Sequence, residues 1–156
     1  MKDKMTIILF SGDLDKAIAA FTLATTAAAS DMEVTIFFTF WGLNVIKKKR
    51  FTLSSPQNLM QRMFNIMSTG CLPTSKLNMA GLGAWMMKKM MKKARAASLS
   101  ELMQLARELK VKFIACTTSL GVLGLTKEDL IEDIDEFAGA STYLAEAKAA
   151  KINLFI

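Results

Sequence analysis

Short apolar runs alternate along this chain with segments whose apolar residues follow helical spacing. The runs Met5–Phe10 (MTIILF), Val34–Phe40 (VTIFFTF) and Val111–Thr117 (VKFIACT) are rich in β-branched or aromatic residues, as is typical of strands. Ile152–Ile156 (INLFI) predicts a terminal strand. After the first run, one helical stripe is formed by Leu14, Ala17, Ile18, Phe21, Ala24 and Ala28. The alternation predicts a three-layer α/β/α sandwich with a mostly parallel sheet of about five strands.

The second half of the chain predicts further helices and one short strand. Ser98 and Glu101 match a capping box, which begins a helix before the third strand. Later segments predict helices over Thr126–Ile131 and Ser141–Lys151, with a short strand over Ile134–Phe137 between them.

Residues 43–97 depart from the alternation. They comprise a basic turn, a predicted helix over Gln57–Met67, a loop over Ser68–Asn78 and a Met-rich basic helix. We interpret them as one excursion within a single domain that covers residues 1–156, since a chain of 156 residues is the size of one compact domain.

The uncharged stretches indicate a cytoplasmic protein. The longest, Ala17–Ser30 and Phe113–Thr126, have fourteen residues each, whereas a membrane-spanning helix needs about 20. The first apolar run ends at Ser11, Gly12 and Asp13, which is unlike a secretory signal.

The chain contains no histidine and only two cysteines, Cys71 and Cys116. Histidine is the commonest metal ligand and the usual base in nucleophile pairs. The cysteines form no C-x-x-C motif, so neither a zinc site nor a disulfide scaffold is predicted. We expect reduced thiols, no metal and no cofactor.

Positive charge is concentrated in two clusters, Lys47–Arg50 and Lys88–Arg95, within a net charge of +6. Because no nucleic-acid motif accompanies them, we do not predict nucleic-acid binding. The second cluster lies on the Met-rich helix, where Met and Lys residues occupy different arcs. This helix either packs on its own domain or a partner subunit, or makes peripheral contact with a membrane through Met79–Lys93.

Three polar segments follow the predicted parallel strands, where ligands bind in open α/β sheets. They are Ser11-Gly12-Asp13, Thr39-Phe40-Trp41-Gly42 and Cys116-Thr117-Thr118-Ser119. Gly12 would allow the backbone to approach a ligand closely. Ser11 and Asp13 are alternatively explained as caps of the next helix.

Cys116 is the candidate catalytic residue. A thiol between a strand and a helix start meets free backbone N–H groups and hydroxyl donors, which favour a thiolate or a persulfide anion. The alternative is a small buried cysteine in a core strand.

Five segments of the sequence resemble the DsrE/DsrF-like (DsrEFH-like) family, in the branch often labelled peroxiredoxin-like. They are LFSGDLDKA at 9–17, FFTFWGL at 37–43, LPTSKLNM at 72–79, ACT at 115–117 and NLFI at 153–156. The resemblance implies a three-layer α/β fold, homo-oligomers, and a role as a cysteine-based sulfur carrier or sulfurtransferase that works with sulfur-donor and sulfur-acceptor proteins.

Cys116 matches the family cysteine after the third strand and would carry the persulfide. Ser11, Gly12, Asp13, Trp41, Thr117 and Thr118 are the candidate substrate-binding residues, and Cys71 is a candidate second thiol. The stretch Ser119-Leu120-Gly121 lacks the acidic residue that the family pattern leads us to expect. Two alternative functions remain. The first is a non-catalytic oligomeric binding module, for which a membrane face is one candidate location; the second, ranked below it, is a thiol peroxidase.

Overall fold

The computed structural model describes residues 2–48, 59–61, 63 and 72–156. Within these ranges lie five strands: β1 (Lys4–Leu9), β2 (Glu33–Phe38), β3 (Lys112–Cys116), β4 (Glu136–Ala138) and β5 (Ile152–Phe155). The five helices are α1 (Leu14–Ala29), α2 (Leu82–Lys93), α3 (Leu99–Glu108), α4 (Thr117–Leu123) and α5 (Ala140–Lys148). Short 3₁₀ helices cover Phe40–Val45, Met79–Gly81 and Lys127–Asp129.

The strands form one sheet in the order β4-β3-β2-β1-β5, and every pair is parallel. Helices cover both faces, so the predicted three-layer α/β/α sandwich with a parallel five-stranded sheet is confirmed. The larger core packs α1 and α3 against one face, with Phe21, Phe38 and Phe113 at its centre. The opposite face carries a smaller cluster beneath Tyr143 of α5.

Several element boundaries differ from the sequence prediction. β2 ends at Phe38 because Phe40 adopts a positive φ of 46° and begins a 3₁₀ helix. Thr117, predicted as the end of β3, is instead the first residue of α4. The helix predicted over Thr126–Ile131 is one 3₁₀ turn, since Leu130 returns to an extended conformation with ψ 163°.

Ser98 and Glu101 form the predicted capping box at the start of α3. The basic helix is also present as α2, although much of the surrounding excursion lies outside the described residues. The helix predicted over Gln57–Met67 is described only at residues 59–61 and 63, which are helical. Across the described part of the chain, every helix is too short or too polar to cross a bilayer.

Candidate functional site

Cys116 is the last residue of β3 and immediately precedes α4. Side chains alternate between the faces of a strand, so Phe113 and Ala115 enter the larger core while Ile114 and Cys116 face α5. There Cys116 packs in the cluster that contains Phe37 and Tyr143. Only 6% of its surface is exposed, so the thiol is a buried group at the edge of the sheet.

Hydroxyl and N–H groups near the end of β3 lower the pKa of the Cys116 thiol. Burial raises the pKa of the thiol, but donors on Ser119, Thr39 and Thr118 outweigh it and hold the pKa below the ordinary value of 9.0. Ser119 contributes its hydroxyl and its backbone N–H, Thr39 its hydroxyl and Thr118 its backbone N–H. Donors of this kind stabilise a thiolate more than a thiol. The site therefore favours an anionic sulfur without a histidine.

The fold brings Thr39 and Ser119 together from two neighbouring strand ends. Phe38 of β2 is paired with Ala115 of β3, so Thr39 lies beside Cys116. Ser119 stands three residues after Cys116, in the first turn of α4, where its side chain turns back toward the strand end. The Thr39 and Ser119 hydroxyls are 2.8 Å apart, and Ser119 is fully enclosed.

Glycine at position 42 fixes the loop that carries Thr39. The Gly42 N–H donates to Phe10 O at 2.8 Å. A Cβ at this position would lie 1.9 Å from Leu9 O, closer than any non-bonded contact permits. The loop after β2 can therefore lie directly on the end of β1.

Gly12 also allows a close approach, but to the protein's own backbone. A Cβ there would lie 2.8 Å from Trp41 O. The Trp41 side chain is 40% exposed at the same edge of the sheet. Phe10 contacts the rings of Phe40 and Phe155, with centroid distances of 5.5 and 5.7 Å.

The segment Ser11-Gly12-Asp13 is not adjacent to Cys116. It follows β1, which β2 separates from β3, so it lies about two strand spacings, or roughly 10 Å, away. The Ser11 hydroxyl donates to Asp13 Oδ2 at 3.0 Å and accepts from the Asp13 N–H at 3.1 Å. Asp13 also pairs with Lys16, but its side chain makes no capping hydrogen bond to α1.

The remaining predicted residues have different positions. Thr117 and Thr118 are exposed at the start of α4, and Thr118 reaches the sulfur only through its backbone. Cys71 lies outside the described residues. Among the residues that are described, no group of three or more carboxylate, cysteine or histidine side chains could hold a metal ion.

Sequence reasoning missed Thr39 and Ser119 as individual donors, although it selected both of their segments. The spacing Cys-x-x-Ser across a strand-to-helix junction was the available signal for Ser119.

A cavity lined by Lys4, Glu33, Lys112 and Glu146 lies at the opposite edge of the sheet, where an ion-pair network joins these side chains.

Comparisons with known proteins match this chain over nearly its full length. The model of the DsrE/DsrF/DrsH-like family matches residues 1–155. The uncharacterized protein YrkE of Bacillus subtilis (strain 168) is 44% identical over 156 residues, which cover 98% of this chain and 96% of that protein. The sulfur carrier protein DsrE2 of Allochromatium vinosum is 36% identical over 161 residues, which cover 98% of each chain.

A solved structure shares the fold. The crystal structure of the ychN protein from E. coli aligns over the whole of both chains with a TM-score of 0.54. The sequences are only 10% identical, so this likeness concerns the architecture alone.

Proposed function

The chain belongs to the DsrE/DsrF/DrsH-like family, and from this premise we propose that it serves in sulfur relay as a sulfur carrier or sulfurtransferase. We propose further that Cys116 carries the sulfur as a persulfide. The name of the similar Allochromatium vinosum protein supports the general role. The donor set around Cys116 supports the specific one.

The single observation that carries the persulfide proposal is the position of Cys116 at the junction of β3 and α4, beside the hydroxyls of Thr39 and Ser119, which are 2.8 Å apart. A purely structural cysteine needs no hydrogen bonds, because a thiol packs as a small apolar group. Here the buried Ser119 hydroxyl and the half-buried Thr39 hydroxyl lie at the end of β3, and together with the N–H groups of Ser119 and Thr118 they lower the pKa of the thiol. A persulfide anion gains from the same donors as a thiolate.

The transfer step balances without an external oxidant. The Cys116 thiolate attacks the outer sulfur of a donor persulfide, forming a sulfur–sulfur bond as the bond within the donor breaks. The donor leaves as a thiolate, and the transferred sulfur with its proton remains on Cys116. Attack on the new persulfide by an acceptor thiolate reverses the step.

The proposal includes partner proteins that supply and accept the sulfur, and association between copies of this chain. Leu144 of α5 and Phe155 of β5 are exposed on the side of the sheet that carries Cys116. Exposed apolar residues of this kind support a surface that other chains cover. Trp41, Thr117 and Thr118 form part of the exposed rim nearest the thiol and are proposed to contact a partner.

Persulfide loading tests the proposal. We expect the reduced protein, incubated with a low-molecular-weight persulfide, to gain the mass of one sulfur atom. Peptide mapping after alkylation should place that sulfur on Cys116, and Cys116→Ser should lose it. Cys71→Ser is the matched control, because it keeps the proposed site and removes the other thiol.

Two results would contradict the proposal. One is an unmodified Cys116 under conditions that load a known sulfur carrier. The other is loading confined to Cys71. A second candidate function, a non-catalytic binding module, is favoured by the burial of Cys116 and would be supported if neither cysteine were loaded.

A further inference from the structure

Helix α2 contacts the rest of the described chain through a narrow side. Within α2, all of which the structure describes, Ala84 is buried and Met87 and Met91 are half-buried. Near its start, Gly83 lies so close to Leu77 that a Cβ would stand 2.1 Å from Leu77 O. Most of the helix surface therefore faces outward.

The outward face combines apolar and basic side chains. Residues four apart lie about 40° apart around a helix, so Leu82, Met86 and Met90 form one exposed stripe, at 48%, 49% and 64% exposure. Trp85 is 58% exposed, and the Lys89 ammonium lies 5.1 Å from the centre of its ring. We call this the Met–Lys surface; its members are Leu82, Trp85, Met86, Lys88, Lys89, Met90, Lys92 and Lys93.

The surrounding sequence is devoid of negative charge. Residues 34–100 contain none of the chain's 14 acidic residues. They contain 11 of its 20 basic residues, namely Lys47, Lys48, Lys49, Arg50, Arg62, Lys76, Lys88, Lys89, Lys92, Lys93 and Arg95. Within the described residues, Lys89, Lys92 and Lys93 form no salt bridge. The counter-charge for α2 must therefore come from outside this segment.

We propose that the Met–Lys surface docks the protein on an anionic phospholipid bilayer, with α2 lying in the plane of the interface. A helix of 12 residues is about 18 Å long and cannot span a bilayer. It can insert Leu82, Met86, Met90 and Trp85 at the boundary of headgroups and acyl chains. The lysines then extend to the lipid phosphates.

The arrangement suits a lipid surface better than a protein groove. The lysines of α2 occupy one arc that also contains Leu82 and Trp85, and this arc adjoins Met86 and Met90. Charged and apolar side chains therefore lie side by side on the exposed face. Long lysine side chains can reach a diffuse sheet of phosphates while the shorter apolar side chains insert between headgroups. A protein groove would require carboxylates at defined positions among its apolar contacts.

Vesicle flotation with the full chain tests the proposal. The vesicles contain either phosphatidylcholine alone or phosphatidylcholine with phosphatidylglycerol. We expect flotation with the anionic vesicles only, decreasing as salt is added. Each basic residue near an anionic surface increases binding roughly fivefold, so changing Lys88, Lys89, Lys92 and Lys93 to Gln should reduce it by more than about a hundredfold.

Three variants complete the test. Changing Lys2, Lys110, Lys148 and Lys151 to Gln removes the same charge from other surfaces and should leave most binding intact. Met86→Gln with Met90→Gln keeps the charge and should weaken binding by removing the inserted side chains. Cys116→Ser should float like the unchanged protein, which separates this proposal from the sulfur chemistry. Circular dichroism confirms that each variant is folded.

The proposal is overturned if the unchanged protein stays with the unfloated fraction, or if both lysine sets reduce binding equally. It is also overturned if the α2 variants still float. If the protein oligomerises without vesicles and the α2 lysine and methionine variants both lose that oligomer, the Met–Lys surface binds another copy in place of lipid, and the proposal is likewise overturned.

Discussion

Individual hydroxyl groups determine how acidic the Cys116 thiol is. Because Ser119 and Thr39 stabilise the thiolate, we expect Ser119→Ala and Thr39→Val each to raise the pKa of Cys116. A hydrogen bond to a charged group contributes about 1.5 kcal/mol, so alkylation by iodoacetamide near pH 7 should slow roughly tenfold. The pH dependence of the alkylation rate measures both effects.

Thr118 supplies the matched control for these variants. Its contribution to the sulfur is a backbone N–H, and its side chain is exposed. Thr118→Ala should therefore leave the alkylation profile unchanged. A Thr118→Ala profile that moved as far as the Ser119→Ala profile would contradict the donor arrangement described here.

The sequence singles out Cys116 as the candidate residue but does not specify which groups surround its sulfur. A cysteine at the end of an apolar run, followed by hydroxyl residues, indicates an anion-stabilising position whatever the detailed geometry. Which hydroxyl meets the sulfur depends on the pairing of Phe38 with Ala115 and on where α4 begins. Those are tertiary properties, so Thr117 and Thr118 were chosen in place of Ser119 and Thr39.

At the scale of elements, the loop after β2 depends on the absence of a side chain at Gly42. A Cβ there would overlap Leu9 O, so Gly42→Ala must displace either the loop or the end of β1. We expect the free energy of unfolding to fall by roughly 2 kcal/mol, as for overpacked core positions. Thr39 should move with the loop, so alkylation of Cys116 should also slow. Denaturant titration and alkylation kinetics measure the two effects.

Gly121 gives the opposite expectation with the same substitution. It lies within α4, and a Cβ there would have no neighbour within 4 Å. Gly121→Ala should raise the free energy of unfolding by roughly 0.5–1 kcal/mol, because alanine favours a helix more than glycine does. If Gly42→Ala and Gly121→Ala changed the free energy of unfolding equally, the conformational freedom of glycine, and not the close contact with Leu9 O, would explain the glycine at position 42.

Strands β1, β2 and β3 and helix α1 were predictable because their burial is recorded in the residue pattern. An apolar run such as VTIFFTF predicts a buried strand. The run stays mostly apolar up to Phe40, however, so nothing in the sequence marks the point where the backbone leaves the sheet and Phe40 adopts a φ of 46°. The segment after Thr126 shows a similar limit. Its capping box is present, yet Asp129 accepts from Thr126 in a single turn, and the chain then becomes extended to form a bridge between Leu130 and Lys47.

At the scale of the whole molecule, charge is divided between regions with different roles. The acidic residues near β3, β4 and α5 are engaged in ion pairs that hold strands and helices together. Asp135 accepts from Arg107 and from the Phe113 N–H, while Glu146 pairs with Lys112 and Lys4. The basic helix α2 has no acidic neighbour in sequence. The ion pairs of the first set stabilise the fold, while the lysines of α2 belong to the surface that is proposed to bind lipid.

This division predicts how stability depends on pH. The pKa of Asp135 is lowered in the folded protein, where burial is outweighed by hydrogen bonds from Arg107 and Phe113. The pKa of Glu146 is lowered chiefly by its hydrogen bond with Lys112. A carboxyl whose folded pKa lies below its unfolded pKa stabilises the protein fully above the unfolded value. That stabilisation is lost as the pH falls through the folded value.

We therefore expect the free energy of unfolding to decrease as the pH falls from 7 toward 3. Asp135→Asn with Glu146→Gln should lower the free energy of unfolding at pH 7 by about 1–3 kcal/mol, a range reduced because both ion pairs are partly exposed. The same double substitution should make the free energy of unfolding fall less steeply as the pH decreases. Asp31→Asn with Glu132→Gln removes equal charge from more exposed side chains and should preserve the steeper profile. Denaturant titrations at several pH values compare the three proteins. If the acid decline were equally steep in all three proteins, Asp135 and Glu146 could not be its main source, because removing them also removes their share of the difference in proton binding between the folded and unfolded chains.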